Sequence, residues 1–328
     1  MRVLAADVGG TNARLAIATV DAAGRVREER AAEFRSPDYA GLVPIAREFL
    51  AAGGERPERA CFAVAGPVRD GECRATNLPW HVRAAELAEA TGIADAQLIN
   101  DFLAVGFGLG ALAPGAFETL QPGRPVAHAP VAYLGAGTGL GMGLVVFEGN
   151  RPRVLPSEGG HASFAPETER EAGLLAFLRA ELGGGHVSAE RVLSGAGLHA
   201  VYRYLAATGG MAEADAVRAA IAAEDPAAAV GRHALAGDPL AAAALDLFLT
   251  VYGAAAGNLA LTTLCYGGLY VAGGIAPRIV EALRTGPFLA AFHAKGRLAP
   301  LLEQVPVHVV TDPGVGLLGA AVAAWAGS

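Results

Sequence analysis

One pattern occurs twice in this chain. Val3 to Ala6 is apolar, Asp7-Val8-Gly9-Gly10-Thr11-Asn12-Ala13-Arg14 follows, and Leu15 to Val20 is apolar again. Val131 to Leu134 leads likewise into Gly135-Ala136-Gly137-Thr138-Gly139-Leu140-Gly141-Met142-Gly143, and then into Leu144 to Phe147. Each reads as strand, glycine turn, strand, with Thr11 and Thr138 in matching places. Asp7 stands where the first strand ends. Gly9 and Gly10 leave backbone N–H groups open to a phosphate oxygen. Thr11 and Asn12 add short groups that can bond that phosphate or a water held by its metal. For one such stretch an ordinary hairpin is an equal alternative. Two of them, each opening its own α/β half, favour a duplicated fold with a phosphate pinched between the halves.

Composition bounds the rest. At 328 residues the chain exceeds the usual size of one hydrophobic core, so two domains are expected. Net charge is −7, which argues against a nucleic-acid partner. Lys295 is the only lysine, in Ala294-Lys295-Gly296, so there is no Walker A loop. A Schiff-base lysine would have to be Lys295, which stands in a polar stretch with no sign of desolvation. Cys61, Cys73 and Cys265 are odd in number and lack metal-ligand spacing, which fits a reducing cytoplasm. No apolar run reaches spanning length without Gly or polar interruption, so no membrane partner is expected. Ala241 to Tyr270 reads as a buried helix followed by a loop and strand. The N-terminus enters a strand at once, with no signal segment ahead of it.

Along the chain, Gly24 to Arg30 reads as a third strand and Tyr39 to Ala52 as a helix ending at Gly53-Gly54. Ala60 to Val64 is a strand, Val82 to Ala90 a helix, Gln97 to Ile99 a strand, and Leu103 onward a helix. This alternation indicates an α/β layer with a partly parallel sheet. Pro114 to Pro130 is polar and proline-rich, the best candidate for a crossing between lobes. Helices dominate from Glu167 to Leu264. Gly268 to Ala272 and Val305 to Val310 are strands, Ile275-Ala276-Pro277-Arg278 starts a helix, and Val315 to Trp325 is the last helix. Gly106-Phe107-Gly108-Leu109-Gly110-Ala111 fits G-x-G-x-x-A but lies inside a helix rather than after a strand, and is taken as chance.

Several residues can carry chemistry. Asn100-Asp101 joins a strand end to a helix start, where open α/β sheets bind ligands. Asp101 can accept a proton from a substrate hydroxyl, or simply serve as a helix N-cap. Glu158 and His161 flank two glycines, so both side chains can face one pocket and hold vicinal hydroxyls; a solvated turn is the alternative. A metal site there lacks a third ligand. Glu190, in Ser188-Ala189-Glu190-Arg191, reads locally as a first-turn helix carboxylate. Gly273-Gly274 can let a flat base approach the backbone, or can serve as a tight strand-to-helix turn.

Taken in order, Asp7 to Arg14, Asn77-Leu78-Pro79-Trp80, Asn100-Asp101-Phe102, Gly135 to Gly139, Glu158-Gly159-Gly160-His161, Ser188 to Gly195 and Gly273-Gly274 resemble the bacterial glucokinases, of the hexokinase and actin-like ATPase superfamily. The resemblance covers nearly the whole chain. It implies two α/β lobes, each with a ribonuclease-H-like core, and ATP in the cleft between them. Residues 1–112 plus about 312–328 would form the smaller lobe and residues 113–311 the larger. It implies ATP-dependent phosphorylation of glucose at the 6-hydroxyl, in a cytoplasmic homodimer. Asn100, Asp101, Glu158, His161 and Glu190 would contact glucose, with Asp101 as general base. Asp7, Gly9, Gly10, Thr11, Asn12, Gly137 and Thr138 would face phosphates, Gly273 and Gly274 the adenosine. Asp7 would hold Mg²⁺ directly or through water. Ser157 and Ser163 depart from the family pattern, in which a glycine often precedes the Glu-Gly-Gly-His run and an acidic residue often follows the histidine by two. The cysteine-rich zinc motif of the ROK sugar kinases (repressor, open reading frame, kinase) is missing, as is an N-terminal DNA-binding extension. The rivals are a kinase for mannose or an N-acetylated amino sugar, and a sugar-sensing protein of the same fold without turnover.

Overall fold

The computed structural model describes every residue except Glu55, Asn77, Asn150, Gly209 and Ser328, and the side chain of Arg151. Asn77 of the expected Asn77-to-Trp80 turn therefore lies outside the described residues. The fold is mixed α/β. The chain divides into two compact units, one of Met1–Ala116, Pro152–Leu155 and Asp312–Ser328, the other of Phe117–Arg151 and Pro156–Thr311.

In the first unit, strands Val26–Arg35, Asn12–Val20, Arg2–Val8, Arg59–Val64 and Asp95–Asn100 stand side by side in that order. The first two pairings are antiparallel, as a hairpin meander requires, and the last two are parallel. The parallel register sets Val8 beside Val64 and Val64 beside Asn100. Three strands therefore end together at one edge of the sheet, and the expected third strand runs on to Arg35. The middle strands carry near-continuous apolar runs because both faces are covered. Leu4, Leu15, Ile17 and Phe62 pack with Ile45 and Phe49 of helix Leu42–Ala51 on one face. Val3, Ala5 and Ala63 pack with Ala320 and Ala324 of helix Val315–Ala326 on the other.

Helix Asp101–Leu109 lies against Val315–Ala326 at very close range. A Cβ on Gly319 would collide with the carbonyl oxygen of Ala104, and one on Gly108 with that of Val315. Gly108, one of the glycines that mimicked a dinucleotide fingerprint, is thus a helix-packing residue. A small sheet of Val68–Arg69, Glu72–Arg74 and His81–Arg83, not expected from the sequence, shortens the following helix to Ala84–Thr91.

In the second unit, Leu140–Glu148, Val131–Ala136, Gly268–Ala272, Val307–Val310 and Phe117–Gln121 follow one another across the sheet. Phe117–Gln121 falls in the polar stretch read as a crossing; as an edge strand it needs no apolar run. Helix Pro239–Thr263 forms the centre of this unit's core. Asp238 caps it by accepting from Ala241 N at 2.9 Å, and Pro239 sits in the first turn where no N–H is needed. It is long and apolar enough to cross a membrane, yet 72% of its apolar window is buried inside the protein. Asp225 and Pro226 repeat the same device for helix Pro226–Leu235.

Gly319→Ala is expected to destabilise the protein by about 3 kcal/mol, because neither helix backbone can yield without losing its neighbours. Urea unfolding of parent and variant measures this; equal midpoints would mean the helices tolerate a wider spacing.

Candidate active site

The shared strand edge of the first unit collects the first set of candidates. Asp7 is the penultimate residue of its strand, paired with Arg14 across the hairpin and with Ala63 on the parallel side. Asp101 follows directly on strand Asp95–Asn100, two strand positions across the sheet. Adjacent strands lie about 4.8 Å apart, so the two backbones are separated by roughly 10 Å. Burial and the negative charge of Asp101 raise the pKa of Asp7 to about 6, against a smaller opposing pull from Arg14. Burial also raises the pKa of Asp101, while hydrogen bonds from Phe102 N–H and the Asn100 side chain act the other way.

The N-cap reading of Asp101 is corrected by the structure. Asn100 caps the helix, its Oδ1 accepting from Phe102 N at 2.9 Å and Leu103 N at 3.2 Å, while its Nδ2 donates to Gly66 O at 3.0 Å. Asp101 is the first helical residue. One carboxylate oxygen accepts from Phe102 N at 2.9 Å, and the helix-end dipole favours a negative charge there. The Asn100 side chain also bonds the Asp101 carboxylate, so it serves the backbone and its neighbour at once.

The first hairpin turn is braced from outside. Gly9 N donates to Asn12 O at 2.9 Å; Ser36 N donates to Thr11 O at 2.9 Å, and Ser36 Oγ to Gly9 O at 2.9 Å. These bonds consume carbonyls and leave the Gly10 and Thr11 N–H groups without an intramolecular partner among those described. Thr11 is exposed, Gly10 half-buried. Asn12 Nδ2 donates to Glu33 at 2.6 Å, which also pairs with Arg14; its oxygen and second amide hydrogen are what it has left to offer. Gly316, in the first turn of helix Val315–Ala326, passes so close that a Cβ there would lie 2.9 Å from Asp7 Oδ2.

The second unit gathers the rest. Its hairpin is shorter: Ala136 pairs with Leu140, leaving three residues in the turn, whereas Val8 pairs with Ala13 and leaves four. Thr11 and Thr138 each stand two residues before the first paired residue of the second strand and differ by one place counted from the first, and each hairpin stands beside a parallel strand in the same way. Gly137 N donates to Gly139 O at 2.8 Å, and Gly195 N to Gly137 O at 2.8 Å. Gly273 has φ +82°, and a Cβ there would meet Ala136 O at 2.5 Å; only glycine fits this turn. Gly274 is open, and its N lies 3.8 Å from where a Cβ on Gly137 would stand, which brings the two glycine pairs together.

Glu158 and His161 bracket a 3₁₀ turn over Gly159–His161, with His161 N donating to Glu158 O at 2.9 Å. Nε2 of His161 lies 3.8 Å from Glu158, and its Nδ1 lies 3.8 Å from Glu190 Oε1. Glu190 belongs to a 3₁₀ turn, not a longer helix, and its Oε2 accepts from Leu140 N at 2.9 Å. The structure thus adds Glu190 to the Glu158–His161 pair, a link that no local sequence pattern marks. Lys295 departs from expectation: its side chain is 6% exposed and pairs with Glu167 at 2.8 Å. Among the described residues no group of three or more His, Cys, Asp or Glu can hold a metal.

The fold is shared with solved sugar kinases. The ROK-family glucokinase from Streptomyces griseus, solved with glucose and AMPPNP, aligns over all of both chains with TM-score 0.64 at 22% identity, a likeness of fold alone. A glucokinase from an Antarctic psychrotroph aligns over 99% of this chain and 98% of its own with TM-score 0.86 at 35% identity. Curated glucokinases from Trichormus variabilis and Synechocystis sp. are 43% and 42% identical; each alignment covers 98% of this chain, and 98% and 97% of theirs. The family model described as Glucokinase matches residues 4–326. The chain belongs to the Glucokinase family.

Asp7 titrates near 3.8 when unfolded and near 6 when folded. Below 3.8 both states hold the proton; as pH rises from 3.8 to 6 the unfolded state releases it first, so folding stability falls, and the loss is complete once the folded state also ionises above 6. In metal-free buffer, Asp7→Asn should therefore gain up to about 3 kcal/mol on the parent between pH 4 and pH 7. Urea titrations at both pH values test it, and a stability difference that does not change with pH would contradict the shift.

Proposed function

We propose that this chain transfers the γ-phosphoryl group of ATP to the 6-hydroxyl of D-glucose, yielding glucose 6-phosphate and ADP. The observation that carries this reading is the nearly full-length family match, joined to a carboxylate at Asp101 that Asn100 relieves of capping. Asp101 accepts the hydroxyl proton as the glucose oxygen bonds the γ-phosphorus and the bond to ADP breaks. Its raised pKa brings it nearer the operating pH, which suits a general base. Asn100, Glu158, His161 and Glu190 hold other sugar hydroxyls, and a site built to bond hydroxyls rejects analogues lacking them by up to ~10⁴–10⁵.

The Gly9–Thr11 turn and Gly137-Thr138 offer N–H and hydroxyl donors to phosphate oxygens, stabilising charge as it moves toward the leaving group. With no Walker lysine, these donors carry much of that work. Asn12 supports the first turn, and Gly273-Gly274 gives the adenosine an uncluttered backbone surface. A divalent cation suits Asp7, whose carboxylate sits beside a second negative charge that a cation would relieve. Mg²⁺ typically takes one or two carboxylates and substrate phosphates, not an all-protein cage. Bound there, it would neutralise phosphate charge. The reading extends to ribonuclease-H-like cores in both units, and to a homodimer in the cytoplasm.

Asp101→Asn is expected to lower kcat by roughly 10²–10⁴ while leaving the glucose Kd within a few-fold. On the acid side, the parent's kcat/KM should fall with an apparent pKa above 3.8, the ordinary carboxylate value. Coupled ADP release and calorimetry measure both quantities; unaltered turnover in the variant would remove Asp101 from the mechanism.

A further inference from the structure

Glu190 makes one contact that sugar binding does not require. Its Oε2 accepts from the backbone N–H of Leu140, the residue that closes the Gly137–Gly139 turn, at 2.9 Å. Its Oε1 faces His161 Nδ1 at 3.8 Å, and the far nitrogen of that ring faces Glu158 at 3.8 Å. The same Leu140 presents its carbonyl to Gly160, where a Cβ would collide with it. One segment that carries a sugar-facing candidate thus bonds the Leu140 N–H, and the other packs closely against its carbonyl. Gly139 is the neighbour that permits this: a Cβ there would stand 2.5 Å from Glu190 Oε2. Its φ is not in the left-handed region, so backbone conformation alone does not demand glycine at this position.

We infer that Gly139 is a positioning residue for the sugar: its bare Cα lets Glu190 strap the phosphate-side hairpin to the His161 turn. This rests on the reading of Glu190 and His161 as sugar ligands. Gly139 itself touches no sugar in that reading, and it acts only by keeping the Glu190 carboxylate on Leu140 N–H. An added methyl group would displace the tip of a flexible side chain and leave backbone in place, so a variant here can fold and still move the carboxylate.

The test is a double-mutant cycle on glucose affinity, measured by calorimetry without nucleotide, on the parent, Gly139→Ala, Glu190→Ala and the double variant. Gly139→Ala should weaken glucose binding roughly tenfold, the scale of a lost hydrogen bond to a charged group. Glu190→Ala should weaken it at least as much, and the double variant should bind no worse than Glu190→Ala. Gly231→Ala, with nothing within 4 Å of the added carbon, serves as a control and should bind as the parent does. Thermal unfolding of each protein is followed in parallel. If Gly139→Ala binds like the parent while Glu190→Ala is weak, the strap is wrong and the ligand reading stands. The strap is equally wrong if the Gly139→Ala loss persists in full without Glu190, or if Gly139→Ala fails to fold. If Glu190→Ala binds glucose normally, the ligand reading fails and takes the proposal with it.

Discussion

Two carboxylates at one sheet edge set the terms for the first unit. Asp7 and Asp101 are both pushed toward their neutral forms, Asp7 partly by Asp101 itself. An arrangement like this costs folding energy, and such costs concentrate at functional sites. Its upkeep is visible in the packing. Parallel register brings the strand ends level, Asn100 takes over the capping from Asp101, and Gly316 leaves room beside Asp7. The close contact of helices Asp101–Leu109 and Val315–Ala326, through Gly108 and Gly319, fixes the helix starts on which two of these features depend.

The second unit solves a different problem. It must hold small, flexible turns in a defined relation with few apolar contacts between them. It does so with backbone hydrogen bonds to Gly137 and Leu140, with glycine at Gly273 where no other residue fits, and with one carboxylate, Glu190, that reaches two segments. The core around helix Pro239–Thr263 lies beneath, and its caps and buried apolar face give the sheet a rigid support.

Much of this was legible in the sequence because the signals are local. Apolar runs ended by glycine gave the hairpins, and Asn100-Asp101 announced a strand-to-helix junction. The division of labour within that junction was not legible, since either residue can cap; only the bonds to Phe102 and Leu103 decide it. The one-residue difference between the hairpins also escaped, because Gly-Thr looks alike in turns of three and four. Lys295 looked solvated from its neighbours in sequence, but Glu167, which pairs with it, is 128 positions away. Strand Phe117–Gln121 lacked an apolar signature because an edge strand needs none. The link from Glu190 to Leu140 spans 50 positions and has no local mark at all.

Every role proposed for these residues depends on phosphoryl transfer going to glucose oxygen and not to water. Phosphorus NMR of the protein incubated with ATP, Mg²⁺ and glucose distinguishes the two. Glucose 6-phosphate and ADP should appear in equal amounts, with little inorganic phosphate and little ATP loss when glucose is left out. ATP consumed to inorganic phosphate at the same rate with and without glucose, or glucose present and no phosphosugar formed, would contradict it.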